Sequence, residues 1–315
     1  QQHQPSGWHF LQRIPTGNHR TRPRKLRVSR RFGENHHYSS VSGFSSTQLD
    51  LANRQDILQF SDSLDNQSIV IVCSAIKKAQ GDTQETFDKN MKMTSNLIQL
   101  FKCSHIAGFV YFSSAAVYGE NQANMAIDEE TKVSPATYYG IAKYASERLL
   151  MKVSVEHGDT PLLILRPSIV YGPGDESEPY RPASFIRDIL GKRQITLWGQ
   201  GDELRDFIYI DDVVSATEQL VTNGQTGLFN LACGKAYSFR GIIDNIAAVH
   251  KEKPNVKFQP RTRDKVDQGF DITKLYKTLP DFTPVDLQEG ISLTYKCIKE
   301  ERLKGGLWEN GICLK

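Results

Sequence analysis

The amino-acid sequence predicts an α/β protein built on a doubly wound, mostly parallel sheet. Three observations lead there. Short, almost wholly apolar runs alternate with segments whose apolar residues recur at helical spacing. A strand that is apolar at every position is buried on both faces, the habit of a parallel sheet covered by helices on two sides. The chain of 315 residues is also long enough for one such sheet and a smaller lobe.

Taken in order, residues 1–45 are atypical. They show no periodic pattern and hold five of the eight histidines, and residues 1–31 carry eight basic side chains and no acidic one. This segment is expected to be irregular, with the first βαβ unit atypical or missing. From about Ser46 the regular texture begins. Ser68–Ser74 predicts a buried strand, Gln84–His105 a helix through Phe87, Met91, Leu97, Ile98 and Phe101, and Gly108–Ser113 a second strand. Tyr138–Val155 predicts a long helix and Pro161–Arg166 a third strand. Residues 46–170 are thus expected to form the sheet domain. Residues 171–315 are expected to form mainly a smaller lobe, with some elements returning to the sheet. It opens on a loop from Gly172 to Arg181. Short helices follow near 183–191, 211–222 and 239–251, with strands at Ile195–Trp198, Phe207–Ile210 and Leu228–Asn230, and a last amphipathic helix over Leu287–Arg302.

Composition narrows the function classes. The whole chain has a formal charge of +3, so the part beyond the basic stretch is net acidic, and nothing there points to nucleic acid. No apolar run reaches the ~18 residues of a membrane span. Cys73, Cys103, Cys233, Cys297 and Cys313 form no CxxC pair and no metal-ligand spacing with histidine. Five scattered thiols fit a reducing, cytoplasmic compartment and no metal site.

The chemistry concentrates in Tyr139-Gly-Ile-Ala-Lys143. Tyr and Lys four apart share one helix face. A phenol titrates near ~10, and an ammonium beside it favours the phenolate, so the pair predicts a lowered phenol pKa suited to acid/base work. Upstream, Phe112-Ser113-Ser114-Ala115-Ala116-Val117-Tyr118-Gly119 follows an apolar strand. A hydroxyl at the carboxyl end of a parallel strand lies where open α/β sheets bind ligands. Ser114 either caps the strand end or bonds the substrate oxygen that Tyr139 serves.

These segments, with Leu165-Arg-Pro-Ser-Ile-Val-Tyr-Gly-Pro173, Arg205-Asp-Phe-Ile-Tyr-Ile-Asp-Asp212 and Phe229-Asn-Leu-Ala-Cys-Gly234, resemble in kind and order the motifs of extended short-chain dehydrogenases/reductases. These are the NAD-dependent epimerases and dehydratases of nucleotide sugars. The resemblance runs from about Asp50 to about Tyr295 and implies a Rossmann-like fold with NAD as cofactor, NADP being left open. It implies Tyr139 as acid/base, Lys143 on the cofactor ribose and Ser114 on the substrate hydroxyl. It implies Asp50 and Leu51 beside the adenine, Ser74, Ala75 and Lys77 along the dinucleotide, and Asn90 as the helix asparagine. Arg205 and Arg263 match contacts to a nucleotide diphosphate, the alternative for Arg205 being an ion pair with Asp206 or Asp211. A homodimer through Gln84–His105 and Tyr138–Val155 also follows from the resemblance.

Within the family, Ala115 and Ala116 cannot transfer the protons that 4,6-dehydration needs. A 4-epimerase therefore leads, followed by a 4-keto-sugar reductase. Two departures qualify this. Ile169 replaces the asparagine common in sugar-nucleotide members, and no Gly-xx-Gly-xx-Gly string exists to bring backbone close to a pyrophosphate. Three readings account for the second: a wrong translation frame over about residues 1–38, a basic targeting extension, or a non-catalytic relative that has lost cofactor affinity.

Overall fold

The computed structural model describes residues 7–11, 41–103, 105–157, 160–175 and 180–303. Its main sheet has six parallel strands: β1 (Gly7–Leu11), β2 (Val41–Phe44), β3 (Ser68–Val72), β4 (Gly108–Phe112), β6 (Leu162–Pro167) and β10 (Gly227–Leu231), with β5 (Asn124–Ile127) outside it. Their spatial order is β2-β1-β3-β4-β6-β10, so the winding reverses between β1 and β3.

At residues 7–11 and 41–44 this corrects the expectation of an irregular segment that lacks an opening strand. Gly7–Leu11 is a regular strand paired on both sides, and Val41–Phe44 is its edge neighbour. The Gly-Trp-His-Phe-Leu run escapes a periodicity search because His9 breaks its apolar pattern, whereas backbone pairing on two sides is indifferent to side-chain type. Residues 12–40, where a phosphate-binding turn and helix would follow β1, lie outside the described residues.

Alternation along the central strands divides the core. Ile69, Ile71, Val110, Leu163, Leu165 and Phe229 face one layer. Val70, Val72, Phe109, Tyr111, Leu162 and Ile164 face the other, beneath α1 (Arg54–Ser61), α2 (Gln84–Cys103) and α3 (Tyr138–Glu156). Helices α2 and α3 lie side by side on that face.

After β6 the chain enters the smaller lobe through β7 (Ile169–Tyr171), where Ile169 packs half-buried against the lobe's core. Then come α4 (Pro182–Leu190), β8 (Ile195–Trp198), β9 (Leu204–Tyr209) and α5 (Ile210–Thr222). Strand β10 rejoins the main sheet. It is followed by β11 (Ala236–Ser238), α6 (Phe239–His250), β12 (Val256–Gln259), β13 (Gln268–Phe270), α7 (Thr273–Thr278) and α8 (Leu287–Leu303). A third apolar cluster, including Phe185, Leu197, Phe207, Ile242 and Ile291, holds this lobe together.

Candidate active site

Ser114 stands two residues beyond β4, in extended backbone at the mouth of a 3₁₀ turn (Ala115–Tyr118). Its Oγ accepts the Ala116 N–H at 3.2 Å, so the hydroxyl caps the 3₁₀ turn that follows the strand. It also lies close enough to the Tyr139 side chain to favour the phenolate. Tyr139 opens α3, whose N-cap Thr137 accepts the Gly140 N–H at 3.1 Å, and the Tyr139 N–H donates to Asp82 Oδ1 at 3.2 Å. Gly140 sets the approach of the two segments. A Cβ there would stand 2.8 Å from the Ala116 carbonyl oxygen, closer than packing allows, so only glycine lets α3 lie this near the serine turn.

Lys143, one turn along, is buried, with Nζ donating to the Phe112 carbonyl at 2.5 Å and lying 4.6 Å over the Tyr111 ring. The Tyr139 phenol is raised above its ordinary value, not lowered as the Tyr–Lys spacing led one to expect. Burial is the main cause. The Ser114 hydroxyl and the Arg181 charge pull the other way, and Glu120 adds to the rise.

Behind Lys143 a cavity opens near the carboxyl ends of β3 and β4, on the side where the strand order reverses. Of the residues matched to a cofactor, Leu51, Ser74, Ala75, Asn90 and Lys143 line it, while the exposed Asp50 and Lys77 do not. Asp50 instead accepts the Ala52 N–H at 3.0 Å and ties the start of α1 by donating its own N–H to Asp56. Asn90 braces the cavity wall. Its amide accepts the Ile76 N–H at 2.8 Å and donates to the Ile76 carbonyl at 3.0 Å, spending both groups on backbone. Met93, Tyr111 and Ser146 also line the cavity, with no motif to announce them.

A buried polar chain links four motif segments. Glu147, on α3 one turn past Lys143, takes Arg166 in two bonds, Nε at 2.9 Å and Nη2 at 2.6 Å. Arg166 Nη1 donates to the Tyr118 hydroxyl at 2.9 Å, which donates to Asn230 Oδ1 at 2.7 Å. All four residues are at most 4% exposed. The chain joins the helix bearing Tyr139 to the turn bearing Ser114 and to β6 and β10. Sequence reasoning passed over it, although the i,i+4 spacing of Lys143 and Glu147 puts both on one helix face.

In the smaller lobe, Arg205 forms an ion pair, but with neither Asp206 nor Asp211. Its Nη2 meets Glu203 Oε1 at 2.5 Å. Arg261 and Arg263 bind the same carboxylate, at 3.0 and 3.2 Å. Asp206 is buried separately, accepting from the Ser168 hydroxyl at 2.8 Å and from the Cys233 and Gly234 N–H groups at 2.9 and 2.8 Å. Burial outweighs these bonds and pushes its carboxyl up to about 6.

The family model for the NAD dependent epimerase/dehydratase family matches residues 2–232. The chain belongs to this family. Its members are NAD-dependent enzymes. The chain is 29% identical over 201 residues to GDP-6-deoxy-D-mannose reductase of Pseudomonas aeruginosa, covering 61% of this chain and 66% of that one. To ADP-L-glycero-D-manno-heptose-6-epimerase of Brachyspira hyodysenteriae it is 35% identical over 185 residues, covering 55% and 57%. These matches span less than two thirds of the relatives' own length. The fold is that of UDP-glucose 4-epimerase from Thermotoga maritima, with TM-score 0.76, 21% identity, and 93% of this chain and 99% of that one covered.

The lining residues Leu51, Ser74, Ala75 and Lys143 are of the kind a family dinucleotide contacts, and the space enclosed among them is that of about one water. The cavity sets apolar Leu51 and Met93 against polar Ser74 and a buried Lys143 ammonium, beyond the carboxyl end of β3. Among the described residues no cluster of His, Cys, Asp and Glu could hold a metal ion, and no helix is long and apolar enough to cross a membrane.

Proposed function

We propose that the chain is an NAD-dependent nucleotide-sugar epimerase of the 4-epimerase type, with Tyr139 as acid/base, Ser114 as substrate hydroxyl partner and Lys143 as cofactor-side cation. The observation that supports this is the placement of Ser114, on the turn after β4, against Tyr139 at the start of α3, one helical turn from the Lys143 that lines the cavity. Leu51, Ser74, Ala75 and Lys143 would hold the cofactor from that cavity, with Asn90 shaping its wall and Asp50 and Lys77 nearby in sequence. Bound NAD supplies reversible oxidation at the sugar carbon. Tyr139 takes or returns the proton of the sugar hydroxyl, and Ser114 holds that oxygen while its charge changes. Arg205 and Arg263 would take the diphosphate, which a forked guanidinium suits. The neighbouring Ala115 and Ala116 offer no group for dehydration. A homodimer is part of the proposal, through the exposed Tyr138 and Ile141 side of α3.

A 4-keto-sugar reductase is the second reading. It needs a single hydride delivery with a proton from Tyr139, and one of the relatives above is a reductase.

The test starts with NAD binding by calorimetry, then incubation with UDP-, GDP- and dTDP-hexoses. Interconversion of C4 epimers without net NADH supports the epimerase; NADH or NADPH consumed in step with a 4-keto-sugar supports the reductase. In either case Tyr139→Phe is expected to lower turnover by about 10²–10⁴-fold with NAD affinity unchanged. Full turnover in that variant would remove Tyr139 from the chemistry.

A further inference from the structure

One buried carboxylate in the smaller lobe serves three guanidinium groups. Glu203, immediately before β9, is 6% exposed. Its Oε1 accepts from Arg205 Nη2 at 2.5 Å and Arg263 Nη2 at 3.2 Å, and its Oε2 from Arg261 Nη1 at 3.0 Å. Arg205 Nη1 donates meanwhile to the Leu204 and Val266 carbonyls. The cluster is graded from inside to outside. Side-chain exposure is 8% at Glu203, 12% at Arg205, 22% at Arg261 and 60% at Arg263. An anion arriving from solvent therefore meets Arg263 first and Glu203 last.

The charges are unequal. Asp202 adds a bond to Arg261 at 2.6 Å and one to Lys265 at 3.5 Å, and Asp267 holds Lys265 at 3.0 Å. Four cations thus face three carboxylates, and only Glu203 touches all three arginines. A carboxylate offers one negative charge where a diphosphate offers at least two, and in a partly desolvated place that difference is felt strongly.

We infer that Glu203 is a built-in competitor, whose carboxylate occupies the guanidinium face that a substrate diphosphate must take over. The inference rests on the proposed reading of Arg205 and Arg263 as a diphosphate subsite. In the free protein Glu203 keeps the buried Arg205 from standing as an uncompensated charge. On binding, a multiply charged diphosphate draws the arginines outward, while a singly charged anion gains too little over Glu203 to displace it. The site thereby selects for diphosphates against monoanions, which is discrimination by a repulsive and competing element.

The test is calorimetric titration of inorganic pyrophosphate into the full chain, Glu203→Gln, Glu203→Asp and Arg263→Ala. Glu203→Gln is expected to bind pyrophosphate about tenfold more tightly, the worth of one charge-assisted hydrogen bond released. Its Tm should also rise more on saturation than that of the parent chain. Glu203→Asp, with the charge on a shorter arm, should bind more tightly than the parent and less tightly than Glu203→Gln; Arg263→Ala should bind more weakly. If Arg263→Ala loses affinity while Glu203→Gln binds no better than the parent, the subsite stands and the competitor is overturned, Glu203 being then an organiser of the arginines. If no form binds pyrophosphate, the subsite itself fails and the inference falls with it. Should Glu203→Gln not fold, Glu203→Asp decides alone: tighter binding supports the competitor, equal or weaker binding overturns it.

Discussion

Glu147 and Asp206 are both buried carboxylates beside the proposed site, and they are handled in opposite ways. Glu147, on the sheet side, faces the Arg166 guanidinium in a two-bond ion pair whose members are 2% and 5% exposed. Asp206, on the smaller-lobe side, forms no ion pair among the described residues and is met by neutral donors, a serine hydroxyl and backbone N–H groups. The first arrangement, continued through Tyr118 and Asn230, joins four segments around Ser114 and Tyr139. The second leaves a carboxyl that burial pushes up to about 6, next in sequence to the exchangeable arginine cluster on Glu203. Buried ion pairs are poor sources of net stability but costly to break singly, so their worth lies in orientation. The hydroxyls proposed to react sit on the side fixed by the ion pair, and the proposed phosphate subsite on the side where ligand charge is proposed to act.

The sharpest way to break this comparison is Glu147→Ala. It strands Arg166 as a buried, unpaired cation and is expected to lose about 3–5 kcal/mol of unfolding free energy, read by urea denaturation. A loss under about 1 kcal/mol would mean that Arg166 finds water or another partner, and that the ion pair fixes nothing.

The Asp206 side makes a claim about pH. Because its folded pKa lies near 6 against 3.8 for the free group, the protonated form is favoured by folding. That stability is fully present below about pH 4 and is lost as pH rises through about 6, by roughly 2–3 kcal/mol for a shift of this size. Stability of the parent minus that of Asp206→Asn should therefore fall between pH 4 and pH 7. A flat difference would show the hydrogen-bond donors offsetting burial, and a rising one would show them prevailing over it.

The smallest expected effect is at Gly140→Ala. The added methyl meets the Ala116 carbonyl oxygen, forcing α3 away from the serine turn, at about 1–3 kcal/mol. A drop in turnover beyond that explained by unfolding would tie the close approach to the Ser114–Tyr139 pair. An unaltered protein would show that the turn simply yields.

Much of the fold is legible in the chain because its central strands are apolar at successive positions and its helices are periodic. Ser68–Val72, Gly108–Phe112 and Tyr138–Glu156 fall within a residue or two of where pattern alone puts them. Gly7–Leu11 is not legible, since a histidine interrupts it and basic residues crowd its neighbours. The ion-pair alternative for Arg205 names Asp206 or Asp211, but Asp206 is adjacent on an extended strand and points to the opposite face, and the side chain two positions away, Glu203, is the one that shares its face. A rule of period two would have found it.

The sequence by itself determined the class of fold, the Tyr139–Lys143 pairing on one helix face and the hydroxyl at the end of β4, because each depends on spacing within a few residues. Only the tertiary structure decided that the Tyr139 phenol rises rather than falls, that Arg166 answers Glu147 from 19 residues away, that Tyr118 reaches Asn230 across 112, and that Arg261 comes back 58 residues to Glu203. Periodicity reports which face a side chain is on. It carries no information about what distant segment is packed against that face, and burial and charge pairing depend on that packing.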